Sequence, residues 1–466
     1  MAEKMRSGGL LIVLTVLFLG MFAVFGPGVY NDSDQYMKMH IHREPLYPLF
    51  LALLGALFGE AQLTAMGIIQ NILAAVSIWL FAEYITKRFS LRFLGEAIVI
   101  ILGLMPHMIT KYYSSLHLFI TNSVMSEAIC IPVFTLFLLE CFKVLAEENK
   151  ACVRRAAWIS LALAFLLSLT RSQMMITLLM WAVVVCVKLT VSKGGRYKLR
   201  LAAAILIVAA AFFARTAAVK SYNLIFNGHF INNTYGTVNT LTNVLYAADR
   251  EDGENIKDKE AKEFFYRMYD LTEERRANYK YAGSSWHEKV EHIEEWHDTV
   301  KYEMIEDVFY QAYDKTVTSD YIIQNLMADE TAGKIISGIL PKCFVRWFGN
   351  YLLIASYGLI RSIAVVHPLI NWAALFLYLS AIAMTALAAR RSMKESGKIG
   401  GGVWLMALAL LAIAANVFAV ALTIMALSRY MIYGFSTFYI AYFILVIEWK
   451  RRRFPSYLKG EKEHGI

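Results

Sequence analysis

Two carboxylates, Asp32 and Asp34, stand directly after the first long apolar run, Gly9 to Val29, in the order Asn31-Asp32-Ser33-Asp34-Gln35-Tyr36. The segment Arg43-Glu44-Pro45-Leu46-Tyr47-Pro48 follows and opens another apolar stretch. Ionisable groups are costly to desolvate beside hydrocarbon, so acids at the point where a chain leaves a bilayer imply a polar partner. A polar group carried by a lipid fits that position. A carboxylate can take the proton of a hydroxyl or amine nucleophile. Arginine suits a phosphate, because its planar fork forms paired, charge-assisted hydrogen bonds and stays charged. Residues of both kinds recur at the ends of other apolar runs: Glu127 after Ser126, Arg171 after Thr170, and Arg429 before Tyr430.

The elements that must position these groups are membrane helices. Hydrophobic residues make up 58% of the 466-residue chain and charged residues 18%, a balance of polytopic membrane proteins. Runs of roughly 17 to 25 apolar residues predict about ten spans. They cover 9–29, 61–85, 94–111, 124–145, 156–170, 172–189, 201–219, 367–389, 402–426 and 430–448. The net charge of +9 is spread over short clusters beside these runs: Lys87-Arg88, Arg154-Arg155, Lys193 to Arg200, Arg390-Arg391 and Lys450 to Arg453. That distribution follows the positive-inside rule and argues against a nucleic-acid surface. With Lys4 and Arg6 and an even number of spans it places both termini in the cytoplasm. The acidic loop, the turns at 111–122 and at Arg171, and the segment before Arg429 then all face outward.

The chain divides into an N-terminal transmembrane module (1–219), an extracytoplasmic and mainly helical insert (220–366), and C-terminal transmembrane helices with a basic cytoplasmic tail (367–466). The expected fold is therefore all-α. From Asp249 to Lys315 the insert is rich in Glu, Lys, Arg and Tyr at helical spacing. Tyr47 to Phe58 is too short to span and predicts a juxtamembrane helix lying along the interface. Two readings stand for 339–362, with Pro341, Phe344, Trp347 and Phe348: an interfacial helix, or an eleventh span interrupted by Lys342 and Arg346. The five cysteines, Cys130, Cys141, Cys152, Cys186 and Cys343, show neither a disulfide framework nor zinc spacing.

An Asp four residues before a Tyr, then Arg-x-Pro-x-Tyr-Pro leading into an apolar run, would be a familiar order; here Asp32, Tyr36 and Arg43-Glu44-Pro45-Leu46-Tyr47-Pro48 supply it. It resembles bacterial membrane glycosyltransferases of the GT-C class, relatives of the dolichyl-phosphate-mannose protein mannosyltransferases and of lipid A aminoarabinose transferase. The resemblance covers the first loop, the spans through Arg171 and the final Arg-Tyr, but not the insert. It implies transfer of a sugar from a polyprenyl-phosphate donor to an extracytoplasmic acceptor, with inversion and without a covalent intermediate. By the same resemblance Asp32 is the catalytic base and Glu127, from a Ser/Thr-Glu pair, a second acidic site residue. Arg43, Arg171, Arg429 and Tyr430 would meet the donor phosphate. Relatives place a second acid three residues before the Tyr, where this chain has Ser33. Asp34 is displaced by one, which leaves its role open between site and solvent.

Blander readings apply to the same residues. Asp32 could form a local turn with Ser33. Ser126-Glu127 is also an ordinary helix start. Arg429, Arg171, Arg215 and Lys220 could snorkel from helix ends. His40-Ile41-His42 lacks a defined ligand set, and His287, His292 and His297 form no His-Glu-x-x-His. The sequence indicates no cofactor; a divalent metal is compatible with the chemistry but no ligand pattern marks one. No nucleotide loop appears, in keeping with a sugar already on a lipid. The other functions considered are a polysaccharide polymerase or ligase, and a transporter or flippase, which would place charge at mid-membrane.

Overall fold

The computed structural model describes residues 2–30, 32–112, 117, 119–192, 196–423 and 425–453; Asn31, Lys193 and the tail beyond Arg453 lie outside the described residues. Helices run in the order α1 (Ala2–Phe25), α2 (Ser33–Met37), α3 (Leu46–Phe58), α4 (Gln62–Arg88), α5 (Phe93–Tyr112), α6 (Glu127–Ala146), α7 (Lys150–Thr170), α8 (Ile176–Ser192) and α9 (Tyr197–Asn227). Then come α10 (Gly236–Tyr246), α11 (Lys259–Glu274), α12 (Trp286–Thr299), α13 (Asp307–Thr316), α14 (Tyr321–Arg361), α15 (Pro368–Ser396), α16 (Gly401–Ala421), α17 (Ser428–Met431) and α18 (Phe435–Arg453). Apart from one isolated bridge, no strand pairing occurs among the described residues. Lipid leaves the backbone no partner but itself, so long apolar runs fold as helices.

Ten helical stretches among the described residues are long and apolar enough to cross a membrane. They correspond in order to the ten expected runs, with shifted ends. The first ends at Phe25 rather than at residue 29, because Gly26 turns left-handed at φ +66° and Pro27 offers no N–H. Residues 124–126 precede α6, and α16 stops at Ala421 rather than at residue 426. The seventh stretch continues through Asn227, where Gly228 at φ +77° closes α9 by donating to Asn223 O. The linker after that span therefore starts past residue 220. Helix α3 has 13 residues, about 20 Å at the α-helical rise and too short to cross alone. A 3₁₀ turn at Gly59–Ala61 joins it to α4.

Neighbouring helices alternate in direction, which gathers their ends into two sets. At one end Arg451 caps α4 through Phe89 O (2.6 Å), and Lys188 caps α6 through Glu147 O (2.7 Å). Cations there complement the negative ends of these helices. The opposite end holds Glu127, Arg171 and Arg429. Helix α6 lies in the apolar core with Phe134, Phe137, Leu138 and Phe142 all buried.

A second apolar core belongs to the segment between α9 and α15. It contains Phe265, Met268, Val300, Met304, Phe309 and Tyr313, closed by Ile335, Ile339 and Cys343 of α14. A reciprocal cap between Ser285 and Glu288 starts α12, and Asp258 caps α11 through Ala261 N (2.9 Å). Segment 339–362 is nearly all the C-terminal half of α14, a continuous 41-residue helix. Gly358 lets α14 approach α16 closely: a Cβ there would lie 3.0 Å from Val417. One helix, with Pro341 in its interior, thus joins the two cores.

Candidate functional site

The first loop is held by backbone before any charged group acts. Gly28 N donates to Asn122 O and Val124 N donates to Gly28 O, both at 2.8 Å. The Ser33 hydroxyl accepts from Tyr30 N (2.7 Å) and donates to Val124 O (2.9 Å). Buried Gln70 and Asn71 of α4 donate to Thr121 O from below, at 3.0 and 3.2 Å. Amides buried among helices earn their place through such bonds. Tyr47, fully buried, donates to Gln70 Oε1 at 2.8 Å. The result pins the Asp32 loop against the start of α6. Ser33 is thereby a fastener for that loop, not the turn partner of Asp32.

Asp32 lies between two arginines. Its carboxylate is 3.0 Å from Arg43 and 3.7 Å from Arg429. Arg43 also donates to Gln35 Oε1 (2.9 Å) and to the Tyr36 hydroxyl (3.3 Å). Burial opposes its charge, but Tyr36 and Asp32 outweigh that cost and raise the Arg43 pKa. Behind this pair Glu127 is 1% exposed and ion-paired with Arg171 at 2.6 Å. Ser126 joins the two halves, with its hydroxyl 3.0 Å from the Tyr36 hydroxyl and 3.3 Å from Arg171 Nη1. Ser126-Glu127 does start α6, with Ser126 at the N-cap position and Glu127 in the first turn, but the Ser126 side chain makes no cap bond and is engaged instead by Tyr36 and Arg171.

Tyr430 organises the remaining cations. Its ring lies 4.5 Å from the Arg171 guanidinium and 4.8 Å from that of Arg429, and its hydroxyl accepts from Arg429 Nη2 at 2.8 Å. Asn416 donates to Tyr430 O (2.6 Å), and Gln173 bridges Arg171 to Asn416. Nε of Arg429 is buried without a hydrogen-bond partner, and Nη1 meets only the Asp32 carboxylate, at 3.7 Å. Buried donors of this kind call for an acceptor, and an anionic oxygen is the strongest one.

The structure thus brings together Asp32, Arg43, Glu127, Arg171, Arg429 and Tyr430. It does not bring in Asp34, whose side chain is 60% exposed and pairs with Lys38 at 2.8 Å. Glu44 and Arg215 form a separate buried ion pair, joined by Ser172 donating to Glu44 Oε1 (2.7 Å). Burial raises the Glu44 pKa even beside that arginine. His42 makes two side-chain bonds, to Thr234 (3.0 Å) and to Tyr321 (2.9 Å), and burial pushes its pKa down to about 3. It is therefore a neutral partner of hydroxyls. No cluster of three or more His, Cys, Asp or Glu able to hold a metal occurs among the described residues.

Five residues in or beside this cluster were not marked by sequence. Ser126 was read only through its neighbour, and Gln173 and Asn416 were read as parts of spans. Lys301 and Tyr302 lie on the π-helical turn between α12 and α13, where the Lys301 ammonium packs on the Tyr235 ring, itself 4.7 Å from the ring of His42. No local pattern distinguishes them from the other charged and aromatic residues of that segment. No protein-family model, curated protein or solved structure matches this chain.

Proposed function

We propose that the protein is an integral membrane glycosyltransferase. It moves a sugar from a polyprenyl-phosphate donor to an acceptor on the extracytoplasmic side of the plasma membrane. One observation carries the reading: Asp32 stands between Arg43 and Arg429, where Arg429 Nε is buried without an acceptor. Both the GT-C-like residue order and the outward placement from the positive-inside rule agree with it. The basic caps at the opposite end of the bundle fit the same orientation.

In this mechanism the donor phosphate binds Arg43 and Arg429, which draws both cations away from Asp32. The acceptor hydroxyl or amine then attacks the anomeric carbon from the opposite face. The carbon–oxygen bond to phosphate breaks, and its electron pair leaves with the lipid phosphate. Asp32 takes the acceptor proton as the new bond forms. Its carboxylate also faces the positive charge that builds on the sugar ring. Glu127, held by Arg171 and Ser126, fixes the inner wall of the site.

The test is transfer of labelled sugar from undecaprenyl-phosphate-sugars by the purified protein in detergent. Inverted, singly glycosylated product is expected. A ladder of chain lengths would instead indicate a polymerase, and no turnover across hexosyl and pentosyl donors would remove the reading.

A further inference from the structure

A lysine nine-tenths buried, with no carboxylate within ion-pair distance among the described residues, packs on Tyr235, whose ring lies 4.7 Å from that of His42, the neighbour of Arg43 in the chain. Lys301 is 6% exposed and lies on the π-helical turn Val300–Glu306. Such turns frequently mark functional positions. Its ammonium lies 4.5 Å from the Tyr235 ring and 4.6 Å from the Tyr302 ring, and donates to the Tyr302 hydroxyl at 3.4 Å. The acids acting on it are Glu306, Asp298 and Asp32, and Arg43 opposes them. Asp298 is exposed, and the Glu306 carboxyl is engaged by the Tyr235 hydroxyl. An unpaired buried ammonium is unfavourable, and here burial lowers its pKa.

The charge count of the cluster is unbalanced. The three arginines, Arg43, Arg171 and Arg429, face the carboxylates Asp32 and Glu127, which leaves one cation in excess. A sugar-linked lipid phosphate is a diester with one negative charge. The departing lipid phosphate is a monoester carrying about −1.5 to −2 at neutral pH. One excess cation balances the bound donor, so the second charge of the leaving group calls for a further cation, and a contact made only as the sugar leaves speeds the chemical step.

We propose that Lys301, with the Tyr302 hydroxyl beside it, is a phosphate-binding cation supplied by the segment between α9 and α15. It receives the charge that develops on the lipid phosphate as the sugar leaves. This rests on the transferase reading, and it makes that segment part of the reacting site rather than only a platform for acceptors.

The experiment measures undecaprenyl phosphate binding by the full-length protein in nanodiscs, alongside thermal unfolding and turnover. Lys301→Gln is expected to weaken binding roughly 10- to 100-fold, the range for a lost charge-assisted bond. Its unfolding temperature should be unchanged or higher, because a neutral side chain is easier to bury. Lys301→Arg should bind within about threefold of the parent. Turnover of Lys301→Gln should fall in kcat with little change in donor KM.

Parental binding by Lys301→Gln while Arg429→Gln loses it would overturn this inference and leave the transferase reading intact. A drop in unfolding temperature that accompanies lost binding, without rescue by Lys301→Arg, would make Lys301 structural and overturn it as well. Inorganic phosphate binding as tightly as the lipid would overturn the lipid assignment. Failure of the unmutated protein to bind undecaprenyl phosphate would overturn both proposals. Lysine-dependent binding without transfer of any sugar would keep the anion site and remove the transferase.

Discussion

Arg43 and Asp32 approach to 3.0 Å across the first loop, and the same guanidinium reaches the Tyr36 hydroxyl and Gln35. One planar cation therefore fixes the acid, the phenol and the loop between them. Its partners are spread around the fork, a geometry that a single ammonium cannot reproduce. Arg43→Lys should keep the charge yet lose the alignment. Turnover should fall by roughly 10- to 100-fold, read from steady-state transfer rates at saturating donor. A rate equal to that of the parent would show that charge alone suffices there.

Glu44 and Arg215 test the frame beneath the site. Glu44 is 3% exposed, bonded by Arg215 and by the Ser172 hydroxyl. Removing one partner strands the other charge in a dry place. Glu44→Gln should destabilise the protein by about 3 to 5 kcal/mol, and the double change Glu44→Gln with Arg215→Met should recover much of that. Reversible unfolding in detergent measures both. Simple additivity of the two losses would contradict the pairing.

A pH signature follows from Glu306. Burial raises its carboxyl from 4.5 to about 7, against the Tyr235 hydroxyl and Lys301, which pull it down. Between those values the folded protein keeps a proton that the unfolded chain has released. Stability from this group is thus fully present below the unfolded value and declines as pH rises through the window to about 7. Relative to Glu306→Gln, the parent should lose on the order of 3 kcal/mol between the two ends of that window. Calorimetric unfolding of both proteins at pH 5 and pH 8 checks the sign; parallel curves would contradict it.

The membrane helices were legible in the sequence because each is a continuous apolar run whose length is set by the bilayer. Their ends were less so. Gly26 and Gly228 stop helices through backbone conformation, which an apolar count does not register. Asp32, Arg43, Glu127, Arg171 and Arg429 were readable as charges at helix ends, yet their meeting depends on the Gly28–Ser123 bridge and on two amides of α4. Those contacts join segments about fifty to ninety residues apart, as in Asn71 to Thr121 and Ser33 to Val124. Lys301 was hidden for a related reason. It sits in a charge-rich helical segment, and no local pattern marks the π-helical turn that seats it on Tyr235.

Two acids separated by one residue provide the sharpest contrast. Asp32 faces Arg43 and Arg429, while Asp34 faces solvent and Lys38. The decisive measurement is single-turnover sugar transfer from undecaprenyl-phosphate-sugar by Asp32→Asn and by Asp34→Asn. The account expects Asp32→Asn to fall by about 10²- to 10⁴-fold, the span typical of a lost general base. It expects Asp34→Asn to stay within about threefold of the parent, as for a change at an exposed surface pair. Unchanged transfer by Asp32→Asn would contradict the assignment of the base and, with it, the chemistry built around that carboxylate.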